Sequence, residues 1–271
     1  MGTFNPEIAA QAMIPKDLLG QASSLHFSLH LASDSSEAAL SEAAGGELHW
    51  AHRLPREESS SGALTSSLAD RNWNEKIFRR CTVSYDAELF TLVPSGFFSA
   101  EKASELLSFS SGKSCRRVNH MALPEWDAVM IWEEPMDMAT IPDVFPNARL
   151  MPSAYLVMKH CSTVIDRNTN TIALLRSGSL VNLFVFKQGM PVLVNAHQIH
   201  DDEDILYYAS NAAMTLGIDF ENCDILIYDR SIDVSLVNLL KHYNRNIKTM
   251  FSDSEGEVKA GFISHLHVLC A

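Results

Sequence analysis

The second half of the chain has the clearest alternation of apolar and polar positions. Apolar runs at residues 172–175, 180–186 and 192–195 predict three strands. Short polar turns separate these runs, at Ser177-Gly178-Ser179 and at Lys187-Gln188-Gly189. Because such short connections join antiparallel neighbours, the pattern predicts an antiparallel meander.

Two amphipathic helices follow the meander. Asp201 or Asp202 is expected to cap the first, and Gly217 is placed where a left-handed residue would end it. Ser231 is expected to cap the second. With predicted strands at residues 225–228 and 247–251, the order of elements is βββαβαβ, and one further strand is predicted at residues 262–269.

The first half shows a less regular version of the same order. We predict strands at residues 25–32 (half-buried), 46–54, 81–85, 89–93, 118–123 and 128–132, and helices at 64–78, from 100 onward, and at 136–144. The pattern indicates a tail at residues 1–24, a first α/β lobe at 25–150 and a second lobe at 151–271. A helix with apolar spacing at residues 153–165 opens the second lobe.

Composition and charge argue against several classes of function and partner. The 271 residues carry 21 Lys+Arg against 33 Asp+Glu, a net charge of −12. An acidic chain argues against nucleic acid or an anionic membrane surface as a partner. No uncharged apolar run approaches the length of a spanning helix, and the first 20 residues have no signal-peptide pattern. Five scattered cysteines predict reduced thiols and a cytoplasmic location.

Several segments resemble an uncharacterised bacterial family, a domain of unknown function. They are Phe90-Thr91-Leu92-Val93-Pro94, Leu183-Phe184-Val185-Phe186, Val192-Leu193-Val194-Asn195, residues 203–208 and the helix at 231–243. The resemblance implies a two-lobed actin-like (ribonuclease H-like) ATPase fold, in which each lobe is a mixed sheet of βββαβαβ type. The arrangement is also similar to actin-fold scaffold proteins of type IV pilus and type II secretion platforms.

The same resemblance implies ATP held between the lobes by glycine-containing turns that carry an aspartate. The first turn here, at residues 32–36, has Asp34 and hydroxyls but no glycine. The second has Arg176 in place of the aspartate, followed by Ser177-Gly178-Ser179. The adenosine turn reads Tyr228-Asp229-Arg230-Ser231 without paired glycines. Asp34, Arg176, Ser177, Gly178 and Ser179 are the candidate cofactor-contacting residues, and the departures weaken the expectation of ATP hydrolysis.

Histidines offer the other candidate chemistry. His197 and His200 lie beside Asp201 and Asp202, a cluster able to ligate a metal if its donors converge. Helix capping also accounts for both aspartates, so we expect no metal there. His265 and His267, two residues apart, share a face of the last predicted strand, as do His26 and His30, four residues apart, on the first. We expect all four to be exposed histidines.

The sequence therefore favours a non-catalytic binding or scaffold protein on a degenerate actin-like fold, with a protein partner. No nucleic acid, membrane insertion or cofactor is expected. Two alternatives stay open: an ATP-binding or ATP-hydrolysing protein that uses Mg²⁺, and a metal-dependent enzyme built on His197 and His200.

Overall fold

A computed structural model describes residues 14–32, 35–43, 47–55, 78, 80–229, 234–250 and 266–267. Its contacts divide the chain into two units. The first unit comprises residues 1–85, 136–151 and 260–271, and the second comprises residues 86–135 and 152–259. In the described residues, no helix is long and apolar enough to span a bilayer.

The first unit contains a five-stranded mixed sheet. Its strands are β1 Leu25–Leu31, β2 Ser35–Glu42, β3 Leu48–Pro55, β4 Arg80–Tyr85 and β8 Arg149–Pro152. The strand order is β3-β2-β1-β4-β8. β1 pairs antiparallel with β2 and parallel with β4, so it lies at the centre of the sheet. Two short helices accompany these strands, α1 Lys16–Leu19 and α3 Ile141–Val144.

The second unit repeats this arrangement. Its strands are β9 Thr171–Ser177, β10 Leu180–Lys187, β11 Met190–Gln198, β12 Asp224–Asp229 and β13 Asn246–Thr249, and its helices are α4 Ser153–Val164, α5 Asp202–Thr215 and α6 Val234–Lys241. The strand order β11-β10-β9-β12-β13 matches that of the first sheet position by position. From β9 onward the order of elements is βββαβαβ, as predicted, with β10 antiparallel to both of its neighbours.

The three central strands of the second sheet, β9, β10 and β12, are buried on both faces. Ile172, Leu183 and Ile225 pack with the apolar stripes of α5 and α6 in one continuous core. On the opposite face, the phenol of Tyr228 hydrogen-bonds His160 of α4 at 2.7 Å. Burial on both sides explains why these strands read as nearly continuous apolar runs rather than as alternating ones.

A separate three-stranded sheet is inserted between β4 and β8. Its strands are β5 Phe90–Pro94, β6 Val118–Leu123 and β7 Ala128–Glu133, in the order β5-β7-β6, and helix α2 Ala103–Ser111 packs on it. This segment groups with the second unit, whereas the sequence places it in a first lobe running to residue 150. The contacts explain the grouping, because Trp126 donates its indole N–H to the Gly189 carbonyl at 3.1 Å and Phe90 stacks on Phe184.

One face of β1 is polar and nevertheless buried, contrary to our expectation. His26 and His30 are fully buried, and their ring nitrogens hydrogen-bond Thr82 and Ser84 of β4, each at 2.8 Å. His267 is also buried, and its ring stacks on that of His26 with centroids 6.3 Å apart. These histidines are therefore a packed cluster. Apolar and polar residues alternate along β1 because one of its faces is apolar and the other polar, and both faces are buried.

Other predictions had mixed outcomes. β2 was not predicted, because its small and polar residues lack an apolar run. Residues 266–267 are helical, so the strand predicted at 262–269 is wrong at these positions. The predicted helix at 64–78, the Ser231 cap and the rest of the last predicted strand lie outside the described residues, apart from the buried Phe78.

The caps of α5 agree with the sequence. The Asp201 carboxylate accepts a hydrogen bond from the Asp204 backbone N–H at 3.0 Å, and Gly217 has φ +66° just beyond the helix.

We expect Asp201→Ala to reduce the free energy of unfolding by about 0.5–2 kcal/mol, because one N–H at the helix start loses its acceptor. Urea denaturation measures this loss. Glu203→Ala is the control, since no helix N–H bonds to its side chain among the described contacts, and an equal loss there would contradict the assignment.

The histidine cluster predicts a pH dependence. Burial, and secondarily Arg80, lower the pKa of His26 from 6.5 to about 4, while burial and the neighbouring His26 and His30 lower the pKa of His267 well below its usual value. At a pH between the folded and unfolded pKa values, the unfolded chain therefore binds more protons at His26 and His267 than the folded chain does. The stability held by His26 is complete above pH 6.5 and is lost as the pH falls from 6.5 to about 4, on the order of 3 kcal/mol in total.

Thermal unfolding of the wild type and of His26→Asn across this pH range tests the linkage. The wild type should lose more stability than the variant, whose amide can still bond Thr82 but does not titrate. His120→Asn, at an exposed histidine, should follow the wild type. Parallel curves for the wild type and His26→Asn would contradict the prediction.

Candidate functional site

The hairpin between β9 and β10 holds four of the five candidate residues. β9 ends at Ser177, which pairs with Leu180, so Gly178 and Ser179 form a two-residue turn. Gly178 has φ +56°, a left-handed conformation that favours glycine. The Ser179 carbonyl accepts the Ile199 N–H at 2.8 Å, which ties the turn to the chain after β11. The turn is thus a well-bonded hairpin corner.

Arg176 is held by an acidic residue of α5. Its guanidinium donates to the Asp202 carboxylate at 2.8 Å, and both side chains are largely buried, at 21% and 14% exposure. The other oxygen of Asp202 accepts the hydroxyl of Ser235 on α6. The ion pair therefore joins the end of β9 to the first turns of two helices.

The start of α5 is strongly acidic. Asp201 through Asp204 are four consecutive carboxylates, of which Asp201 caps the helix and Asp204 accepts the His200 N–H at 2.7 Å. An open depression beside them is lined by Asp201, Asp202, Glu203, Ser235 and Leu239. Negative side chains stabilise a helix N-terminus, but they also occupy the place where an anion would otherwise bind.

Asp86 is a site residue that sequence reasoning did not single out. It follows β4 directly, and its carboxylate accepts hydrogen bonds from Ser177 at 2.5 Å and from Ser153 at 3.0 Å. Ser153 is the first residue of α4, so Asp86 connects that helix to the candidate turn. The sequence showed only an aspartate after a strand, which is equally typical of a plain turn.

His197 and His200 do not converge. The His197 ring stacks on Tyr208, with centroids 3.9 Å apart and planes 10° from parallel, and burial lowers the pKa of His197. Among the described residues, no group of three or more histidine, cysteine or acidic side chains is arranged to hold a metal ion. Stacking on Tyr208 gives His197 a packing role instead.

The described part of the candidate site does not fit Mg²⁺ and ATP. At the second turn, the guanidinium that would meet a phosphate is already paired with Asp202, and the Ser177 hydroxyl is bonded to Asp86. The nearby helix start adds three further carboxylates, those of Asp201, Glu203 and Asp204, which would repel a polyphosphate. Asp34 lies outside the described residues, as do Arg230 and Ser231 of the adenosine turn.

The class of protein is defined by the family that the sequence matches and by the fold that it shares with solved structures. The model of a protein family of unknown function, DUF3822, matches residues 20–247, and the chain belongs to this family. No curated protein gives a significant match.

Solved structures show the fold. A Bacteroides thetaiotaomicron protein with an actin-like ATPase fold and unknown function is 16% identical, with a TM-score of 0.75 over 93% of this chain and 98% of that one. The PilM-PilN type IV pilus biogenesis complex matches at 9% identity and TM-score 0.57, over 90% and 97% of the two chains. The cytoplasmic domain of EpsL, from the type II secretion system of Vibrio cholerae, matches at 12% and 0.54, over 91% and 94%. The chain therefore has the actin-like ATPase fold.

A double-mutant cycle measures the interaction that occupies Arg176. For Arg176→Met and Asp202→Asn we expect a coupling free energy of about 1–2 kcal/mol, between the values typical of exposed and of buried ion pairs. Chemical denaturation of the four proteins gives the number. The same cycle with Glu203→Gln should show coupling below about 0.5 kcal/mol. Equal coupling in both cycles would contradict a specific Arg176–Asp202 pair. It would show that Arg176 interacts with the net negative charge of the helix start.

Proposed function

We propose that this chain is a non-catalytic binding or scaffold protein, built on an actin-like fold whose nucleotide site has degenerated. One observation carries the proposal: the Arg176–Asp202 ion pair at the second turn. Hydrolysis of ATP requires a positioned nucleophile and a metal ion in addition to charge complementarity. At this turn the arginine replaces the expected carboxylate and is neutralised by the protein's own Asp202.

Asp86 is the alternative source of a carboxylate at the turn, and its contacts argue against a metal-binding role. Its two oxygens accept hydrogen bonds from two serine hydroxyls, which link α4 to the hairpin. Each carboxylate oxygen of Asp86 therefore already has a donor from the protein, and these two bonds fix the orientation of the carboxylate. We assign Asp86 to holding the hairpin in place, and Ser177, Gly178 and Ser179 to the hairpin itself.

Structural neighbours support a protein partner. One of them was solved as the PilM-PilN complex, and another is the cytoplasmic domain of an inner-membrane secretion component. A role in a protein assembly agrees with the acidic charge, which disfavours nucleic acid. The free thiols of Cys115, Cys161 and Cys223 agree with a reducing cytoplasm.

Phosphate release by the purified chain with Mg²⁺ and ATP tests the proposal. We expect no turnover above background, and no difference between the wild type and Arg176→Ala. Steady turnover that follows the folded protein and is lost in Arg176→Ala would replace the proposal with the ATPase alternative.

A further inference from the structure

The inserted sheet has an open edge. β6 lies at one side of the order β5-β7-β6, and within the described residues no strand pairs with its outer side. Edge strands of natural proteins are commonly protected by charged residues, proline or a bulge. β6 reads VNHMAL, without a charge or a proline, and its pairing with β7 runs without a register shift. The strand therefore lacks the usual protection.

The backbone groups available on this edge follow from the pairing. The Glu134 N–H donates to the Arg117 carbonyl at 2.7 Å, so residues 117, 119 and 121 direct their N–H and C=O groups toward β7. The groups of Val118 and His120 then point outward. On either side the protein closes the edge itself: the Arg116 N–H donates to Glu133 at 3.0 Å, and the Ala122 carbonyl accepts the Tyr155 hydroxyl at 3.3 Å.

The charge beside this edge is opposite to that of the chain. Residues 112–123 contain Lys113, Arg116 and Arg117 but no aspartate or glutamate, whereas the whole chain has a net charge of −12. Arg117 pairs with Glu134 at 3.2 Å, while Lys113 and Arg116 are exposed. Phe109 is 91% exposed near the end of α2, just before this segment. Glu133 and Glu134 already bond this segment, through the Arg116 N–H and through Arg117 and Asn119. The side chains of Lys113 and Arg116 are therefore the cations that an acidic segment would meet, and Phe109 offers an apolar side chain for contact.

We propose that the outer edge of β6 docks an extended acidic segment of a partner protein, which pairs with the backbone of Val118 and His120. The segment adds a fourth strand to the sheet, and its carboxylates lie near Lys113 and Arg116. Main-chain hydrogen bonds supply affinity in this mode of recognition, and the flanking charges supply selectivity. The inference rests on the partner-binding role proposed above.

Fluorescence anisotropy with a defined probe tests the docking edge. The probe is a labelled peptide of about nine residues that alternates valine with glutamate, and its counterpart has lysine in place of glutamate. We expect saturable binding of the acidic probe, at least about tenfold weaker binding of the lysine probe, and weakening by added salt.

Two variants separate the backbone from the charges. His120→Pro removes an outward N–H without removing a bond to β7, so the sheet should stay folded while the acidic probe is lost. His120→Thr keeps the N–H and should bind the probe. Lys113→Glu with Arg116→Glu should weaken binding at least about tenfold, whereas Lys241→Glu on α6 should not. Circular dichroism and melting temperature confirm that each variant is folded.

Hydrogen exchange reads the same edge directly, since the amides of Val118 and His120 should gain protection when the acidic probe binds. Absence of binding, equal binding of the two probes, or full binding by folded His120→Pro would overturn the proposal. None of these outcomes bears on ATP turnover, so the docking edge and the non-catalytic assignment can fail separately.

Discussion

The ion pair between Arg176 and Asp202 is the central electrostatic interaction of the second unit. A largely buried guanidinium has to be neutralised, because an unpaired charge in that position would cost several kcal/mol. Asp202 supplies the counter-charge and also accepts the Ser235 hydroxyl, so a single carboxylate joins β9, α5 and α6. The same contact that stabilises the fold therefore occupies the group that would otherwise attract a phosphate.

The two units share one strand order although their first turns differ in sequence. Both sheets place a central strand between an antiparallel and a parallel neighbour, and these pairings depend on backbone hydrogen bonds and burial rather than on turn residues. The turns are consequently free to vary. The inserted sheet β5-β7-β6 adds surface without altering the order, which agrees with the proposed binding role.

Much of the second unit could be predicted from the sequence because its central strands β9, β10 and β12 are buried on both faces and its hairpin turns are short. Asp201 and Gly217 were recognisable since capping depends on local chemistry alone. Contacts between distant residues left no such signal. Asp86 meets Ser153 and Ser177 only through the fold, and the burial of His26 depends on Thr82 and His267. Alternation along β1 predicted exposure, whereas a second polar layer covers that face.

Calorimetric titration of the wild-type chain with Mg²⁺ and ATP is the most direct measurement of whether the nucleotide site has been closed. Among the described residues of the second turn, the one guanidinium is engaged by Asp202. The account therefore predicts no saturable heat up to millimolar nucleotide, a concentration that corresponds to about −4 kcal/mol of binding free energy. One ATP bound per chain with a micromolar dissociation constant, and lost in Arg176→Ala, would contradict it.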